Sequence, residues 1–358
     1  MKRNRTIIRC AALGVATVTA VTLTACGPGA QSSPGEDGGP AGLSVNAFGG
    51  VWQEALEEIV IAPYEEETGT GVSVTTAISS EALTQLRADG SAFDVAYMDL
   101  AVIEQAKEAD LLQPLDLDSI PNSEELYPLA VDENGYWVAE LTSMTGIAYN
   151  TETISTPPTS WADLWNEEYE GRVAISNVAG TVGYQFLVQA AMLNGGDEND
   201  IDPGFEAIQE LQPNIVSIYN TPDEMSRLLT SGEAWLGPWY ADRTGALKAS
   251  GAPVEFIEPE EGAIAVVSAM VIPAEAMNVE GAHDYIDFQL AAEVNSAFVQ
   301  ATGTGPTNRN VELPAEYLEE NYVPYGDEQI ESLQVYDSGA ISEHLSEWIE
   351  RWNTEVAG

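Results

Sequence analysis

Leu43-Ser-Val-Asn-Ala-Phe48, Gly49-Gly50, Trp52 to Glu67, Gly71-Val-Ser-Val-Thr-Thr76, Glu81 to Ala88 and Phe93-Asp-Val-Ala-Tyr-Met98 make up the stretch that decides the fold. The first segment alternates apolar and polar residues as a strand does, and the glycine pair punctuates its end. Leu56, Ile59, Val60 and Tyr64 then recur at helical spacing, with an interruption expected at Pro63. A second strand, a helix over 81–88, a third strand and a helix over 101–109 follow. Strand, helix, strand, helix, strand is the alternation of a parallel α/β sheet.

Downstream the same rhythm starts again. Trp137 to Tyr149 reads as extended, and Trp161 to Trp165 as a short helix behind a Thr159-Ser160 cap. Strands are expected at 172–175, 215–219, 234–236, 254–257 and 263–272, and helices at 181–193, 202–211, 222–230 and 244–249. Gly281 to Gln300 reads as one long helix. Ser342 to Asn353 closes the chain with Leu345, Ile349 and Trp352 on one face. Two α/β units in one chain point to a two-lobed binder, because ligands of open α/β sheets sit outside the strand carboxyl ends.

Upstream, Lys2, Arg3, Arg5 and Arg9 precede an apolar and small-residue run from Ala11 to Leu23. That run has the length of a secretory signal and is too short for a membrane span. It ends in Leu23-Thr24-Ala25-Cys26, the pattern of a lipoprotein signal, with acyl chains (palmitate among them) expected on Cys26. The expected products are a signal over 1–25, a lipidated cysteine with a Gly, Pro and Ser-rich spacer over 26–42, and a protein tethered outside the cell membrane. Cys10 leaves with the signal, so no disulfide is expected.

The chain carries 12 basic and 58 acidic residues, a formal −46; without the signal, eight bases face 58 acids, a formal −50. The bases are scattered from Arg87 to Arg351 with no basic patch, which excludes nucleic-acid binding. The acids attract cationic ligands or keep the surface hydrated at high salt; their even spread favours the second reading.

Catalytic signatures are scarce. The two histidines, His283 and His344, fall inside expected helices, and no nucleophile, metal or phosphate-loop motif occurs. Acidic pairs are too common for any one to argue glycosidase-like chemistry. Asp197 to Asp202 lacks the spacing of a Ca²⁺ loop. No catalytic residue, cofactor or metal is expected. Strand ends are more informative. Gly49-Gly50-Val-Trp52 offers free backbone N–H groups to a polar ligand, or is a plain strand-to-helix turn. Asp99 stands at a strand tip. Trp239-Tyr-Ala-Asp-Arg243 groups two aromatics with opposite charges, as a ligand site or as a packed corner with a surface ion pair.

Ala62-Pro-Tyr-Glu-Glu-Glu-Thr-Gly69 with Val72, Thr159-Ser-Trp-Ala-Asp-Leu-Trp165 with Tyr169-Glu-Gly171, and Gly305-Pro-Thr-Asn308 resemble segments of the family 1 extracellular solute-binding proteins of ABC importers, in their polyamine-binding branch. The resemblance covers roughly 43–312. It implies a bilobal type II α/β fold with crossover hinge strands, closure on a small-molecule solute, and delivery to permease subunits by a monomer. Lobe 1 is then expected over 43–142 plus 267–312, and lobe 2 over 143–266 plus 313–358. The branch's ligand carboxylates align with Val178 and Thr181, a tryptophan and aspartate pair with Val266 and Ser268, and another tryptophan with Tyr240. The usual polyamine site is therefore largely missing, and the adjacent tyrosine pair of ferric-iron relatives is absent. The resemblance leaves Gly49, Gly50, Trp52, Asp99, Ser176, Asn177, Thr181, Trp239, Tyr240, Asp242, Arg243 and Ser268 around the cleft. Arg243 suits a carboxylate or phosphonate, so a small zwitterion or polar organic solute is expected over a polyamine or ferric iron. Thr181 and Asn177 serve equally as helix caps. A sensory lipoprotein is the remaining alternative.

Overall fold

A computed structural model describes residues 42–357. The signal, Cys26 and most of the spacer lie outside the described residues. Among the described residues no helix is long and apolar enough to cross a membrane.

The first strand, β1 (Leu43–Ala47), pairs in parallel with β2 (Val72–Thr76), from Leu43 opposite Val72 to Ala47 opposite Thr76. The other eight strands form one sheet: β3 (Ala96–Asp99), β4 (Leu112–Gln113), β5 (Val138–Asn150), β6 (Val173–Ser176), β7 (Ile215–Tyr219), β8 (Leu236–Tyr240), β9 (Val254–Ile257) and β10 (Ile264–Pro273). Their order is β3-β10-β5-β8-β6-β7, with β4 on β10 and β9 on β5. The expected parallel pairing holds for β1 and β2, whereas the eight-stranded sheet is mixed. β6 runs parallel to β7 and β8, but β5 and β10 are antiparallel to each other and to their outer neighbours. Buried Asn46 stitches the small sheet to β3. Its Nδ2 donates to the carbonyls of Ala77 and Tyr97, and its Oδ1 accepts from the Tyr97 N–H at 2.7 Å.

Two large cores flank the long strands. One gathers Leu43 to Leu141 with Val267 to Val299, around Leu56, Phe93, Tyr97, Tyr285 and Phe298. The other gathers Ile147 to Ile264 with Ile341 to Val356, around Trp161, Phe186, Phe205, Trp348 and Trp352. β5 and β10 each run from one core into the other, so the chain is bilobal with crossover strands between its α/β lobes. The terminal helix Ser338–Glu355 packs against both Leu100–Glu108 of the first lobe and Asp202–Leu211 of the second.

Four local expectations are corrected. Pro63 does not interrupt its helix: the turn before it, Leu56–Ile61, takes π geometry, and the proline falls in the first turn of Ala62–Thr68. The helix expected over 281–300 breaks at extended Ala291 into Val279–Leu290 and Ala292–Thr302, because Asn308 Nδ2 takes the Leu290 carbonyl at 3.0 Å. The strand expected at 234–236 lies at Leu236–Tyr240, and the helix after it starts at Ala241. On the terminal helix, Ile341, Trp348 and Trp352 are buried, with Leu345 and Ile349 beside them; Asp337 caps its start.

Candidate functional site

β3 ends at Asp99, whose cross-strand partner on β10 is Ser268. The Ser79 hydroxyl, at the start of the helix Ser79–Ala88, donates to Asp99 Oδ2 at 2.9 Å and accepts from the Asp99 N–H at 3.1 Å. Burial raises the Asp99 pKa above the ordinary carboxylate value, and the Ser79 hydrogen bond opposes it. No ion pair reaches Asp99 among the described residues.

Across from Asp99 stand residues of the other lobe. Thr181 and Tyr184 lie one turn apart on the same face of the helix Thr181–Leu193. Tyr240 ends β8. Strand alternation sends Trp239 into the core and turns Tyr240 the other way. Burial, then the Asp99 charge, push both phenols well above the ordinary tyrosine value, while the Thr181 hydroxyl opposes the rise on each. Tyr240 also feels Tyr184 and Asp242. Asp242 accepts from Ser143 Oγ on β5 at 2.6 Å, and burial raises its pKa against the pull of Ser143 and Arg243. The charges set inward here are all acidic.

The structure therefore brings Asp99, Thr181, Tyr240, Asp242 and Ser268 to one place between the lobes. The other sequence candidates sit around it. Ser176 ends β6 and Asn177 follows it, where Asn177 Oδ1 accepts from the Ala179 N–H at 3.0 Å, so Asn177 serves its own turn. Gly49 and Gly50 adopt φ of 83° and 58°, a geometry that glycine supplies without strain, ahead of a helix of six residues. Trp52 lies in an aromatic cluster with Phe48 and Tyr97 at 4.8 Å and Phe298 at 5.7 Å, its Nε1 buried with no hydrogen-bond partner. Trp239 is 1% exposed among Met225, Leu229 and Val254. The Arg243 side chain is 60% exposed and its ion pair, among the described residues, is with Asp242 at 3.7 Å.

Sequence reading missed Tyr184, Ser79, Ser143 and Glu140. Tyr184 had a signal in its three-residue spacing from Thr181. Glu140 had one as the lone acid in Trp137-Val-Ala-Glu-Leu141. The two phenols come together in space from a helix and a strand, which sequence adjacency does not show. A cavity of about 370 Å³, lined by Thr153 to Thr159, Tyr169 and Trp235, shares no residue with this cluster. Among the described residues no group of three or more metal-ligating side chains forms.

Two α/β lobes joined by crossing strands, with polar and acidic groups from both converging at the junction, define a ligand-binding receptor of the two-lobed class. Residues 91–332 match the family of bacterial extracellular solute-binding proteins. The chain belongs to that family. It is 29% identical over 327 residues to spermidine/putrescine-binding periplasmic protein 1 of Haemophilus influenzae, covering 87% of this chain and 89% of that one. The gamma-aminobutyric acid-binding protein of Pseudomonas aeruginosa is 20% identical over 329 residues, 88% and 91% of the two chains. Among solved structures, an ABC transporter protein of Clostridium perfringens superposes with a TM-score of 0.79 at 25% identity, covering 87% of this chain and 99% of that one. The chain is thus a substrate-binding protein, which captures a solute and delivers it to a permease, and works outside the cytoplasm.

Proposed function

We propose that this protein is the lipid-anchored receptor of an ABC importer for a small organic solute carrying a cationic amine. Asp99 is the observation that carries the reading. Its carboxyl sits between the lobes beside Tyr184 and Tyr240, and no cation among the described residues answers it. An ammonium group held there offsets the cost of a desolvated carboxylate, and the phenol oxygens accept its remaining protons. Asp242 supplies a second acidic end, so a diamine fits. A zwitterionic amino compound fits equally, its carboxylate turned to the Gly49-Gly50 N–H groups. Relatives named for spermidine, putrescine and gamma-aminobutyric acid, all amines, support this solute class. The expected tether is Cys26, with lobe 1 over 43–142 plus 267–312 and lobe 2 over 143–266 plus 313–358. The separation of the two hydrophobic cores supports that division.

A thermal-shift screen of amines, amino acids and dicarboxylates tests the reading, since a ligand that binds only the folded state raises the melting temperature. An amine that stabilises the wild type and not Asp99→Asn is the expected result. Stabilisation by dicarboxylates alone would overturn it.

A further inference from the structure

Glu140 is fully buried on β5 where that strand leaves the first core. Ser268 pairs with Leu141 and Ala269 with Ala139, so Glu140 is the extra residue of a β-bulge in the crossing strand. Its carbonyl accepts from Asn295 Nδ2 at 2.7 Å, and Asn295 Oδ1 takes the Thr307 N–H at 3.1 Å. Its carboxyl Oε1 accepts from Ser268 Oγ at 2.6 Å, while Oε2 is closed off from solvent with no hydrogen-bond partner. Ser268 is also the cross-strand partner of Asp99. Glu140 and Asp99 therefore flank one serine on three adjacent strands.

The groups that face Glu140 are Asp99 and the Tyr97 phenol on β3, the Tyr285 phenol on the helix Val279–Leu290, and Ser268 on β10. None is cationic. A carboxylate so placed lacks both water and a counter-charge. Burial pushes the Glu140 pKa up to about 8, against the Ser268 hydrogen bond and with the Asp99 charge adding to the rise.

We propose that Glu140 is a specificity-determining residue of the hinge, which holds a proton on Oε2 while Asp99 faces no cation and releases it when a cationic group enters the cleft. The Oε2–H bond breaks, the proton passes to the buffer, and the incoming positive charge replaces it. The inference rests on the reading that Asp99 receives an amine. Affinity for a cation then rises as pH climbs toward about 8 and is level above it. It changes about tenfold for each pH unit by which capture lowers the Glu140 pKa. A neutral isostere gains nothing from this linkage.

Two measurements on the full chain test it. Without ligand, urea unfolding is followed from about pH 5 to about pH 9 for wild type, Glu140→Gln and Asp99→Asn. The folded pKa lies above the ordinary glutamate value of 4.5, so the Glu140 contribution to stability is present below 4.5, is lost as pH rises toward 8, and is level above. Wild type should show this loss, Glu140→Gln should not, and Asp99→Asn should move its upper end to lower pH. Parallel wild-type and Glu140→Gln profiles, or an upper end unmoved in Asp99→Asn, overturn the proposal. If Glu140→Gln does not fold, the wild-type and Asp99→Asn profiles still decide. With ligand, calorimetric titration with putrescine in two buffers of different ionisation enthalpy should show proton release by wild type and none by Glu140→Gln; equal release overturns the proposal. Failure of every amine to bind would refute the solute class, and the unfolding profiles would still judge Glu140.

Discussion

Replacing Gly183 with alanine should unseat the second lobe's side of the site. A Cβ built there lies 1.9 Å from the Asn177 carbonyl oxygen, 2.5 Å from its carbon and 2.8 Å from Val178 Cα. These are backbone atoms, and ordinary contacts need roughly 3.5 Å, so the turn would have to retreat by more than about 1 Å. It is not free to do so. The Asn177 N–H is bonded to the Tyr219 carbonyl at 2.9 Å, the Gly180 N–H to the Asn177 carbonyl at 3.0 Å, and Val178 is fully buried. Overpacking of this kind costs about 3 kcal/mol, and a chain of this size should melt about 4–5 °C lower. Thr181 and Tyr184 ride on the displaced helix start, so amine affinity should fall as well. Gly180→Ala is the control: its Cβ would meet the Ser176 hydroxyl at 3.3 Å and the Asn177 oxygen at 3.6 Å, which small shifts relieve. Differential scanning calorimetry and titration of both variants decide the matter. If Gly183→Ala melts and binds as Gly180→Ala does, the close packing of the turn on the helix is not what places Thr181.

Trp52→Phe should cost only about 1 kcal/mol in urea unfolding, because the indole Nε1 has no partner to lose, whereas Trp52→Ala should cost about 3 kcal/mol by opening the cluster with Phe48, Tyr97 and Phe298. Equal costs would show that the ring is not packed there. Arg243→Ala should change stability by less than about 0.5 kcal/mol and leave affinity for an amine unchanged or raised, since its guanidinium is exposed and pairs at 3.7 Å with Asp242. A tenfold loss for an anionic or zwitterionic solute would instead place Arg243 on the ligand. With a formal charge of −46, the melting temperature should climb between about 0.1 M and about 1 M NaCl as the screening length falls from about 10 Å to about 3 Å. A flat or falling curve would show that carboxylate repulsion does not limit stability.

Local pattern was legible where the driving force was local. The helices Thr181–Leu193 and Asp202–Leu211 and the strands Ile215–Tyr219 and Val254–Ile257 stand where apolar periodicity and turn residues put them. What escaped was set by distant partners. The break at Ala291 depends on Asn308, eighteen residues past the carbonyl it caps, and the antiparallel crossing of β5 and β10 on pairings more than a hundred residues apart. In the site, Asp99 was legible as a strand tip and Tyr240 as part of the aromatic and charged group Trp239–Arg243. Tyr184 joined them through the fold, and Trp239 went to the core because its neighbour faces the cleft. Glu140 showed in the sequence as a lone acid in an apolar strand, but its bulge is a register irregularity that a single strand does not announce.

Calorimetric titration of putrescine into wild type and Asp99→Asn, at a pH near 7.5 and low ionic strength, addresses the central claim most directly. Losing the carboxylate that meets one of its two ammonium groups should weaken binding by about 2–4 kcal/mol, some thirtyfold or more. Undiminished affinity in Asp99→Asn would contradict the account.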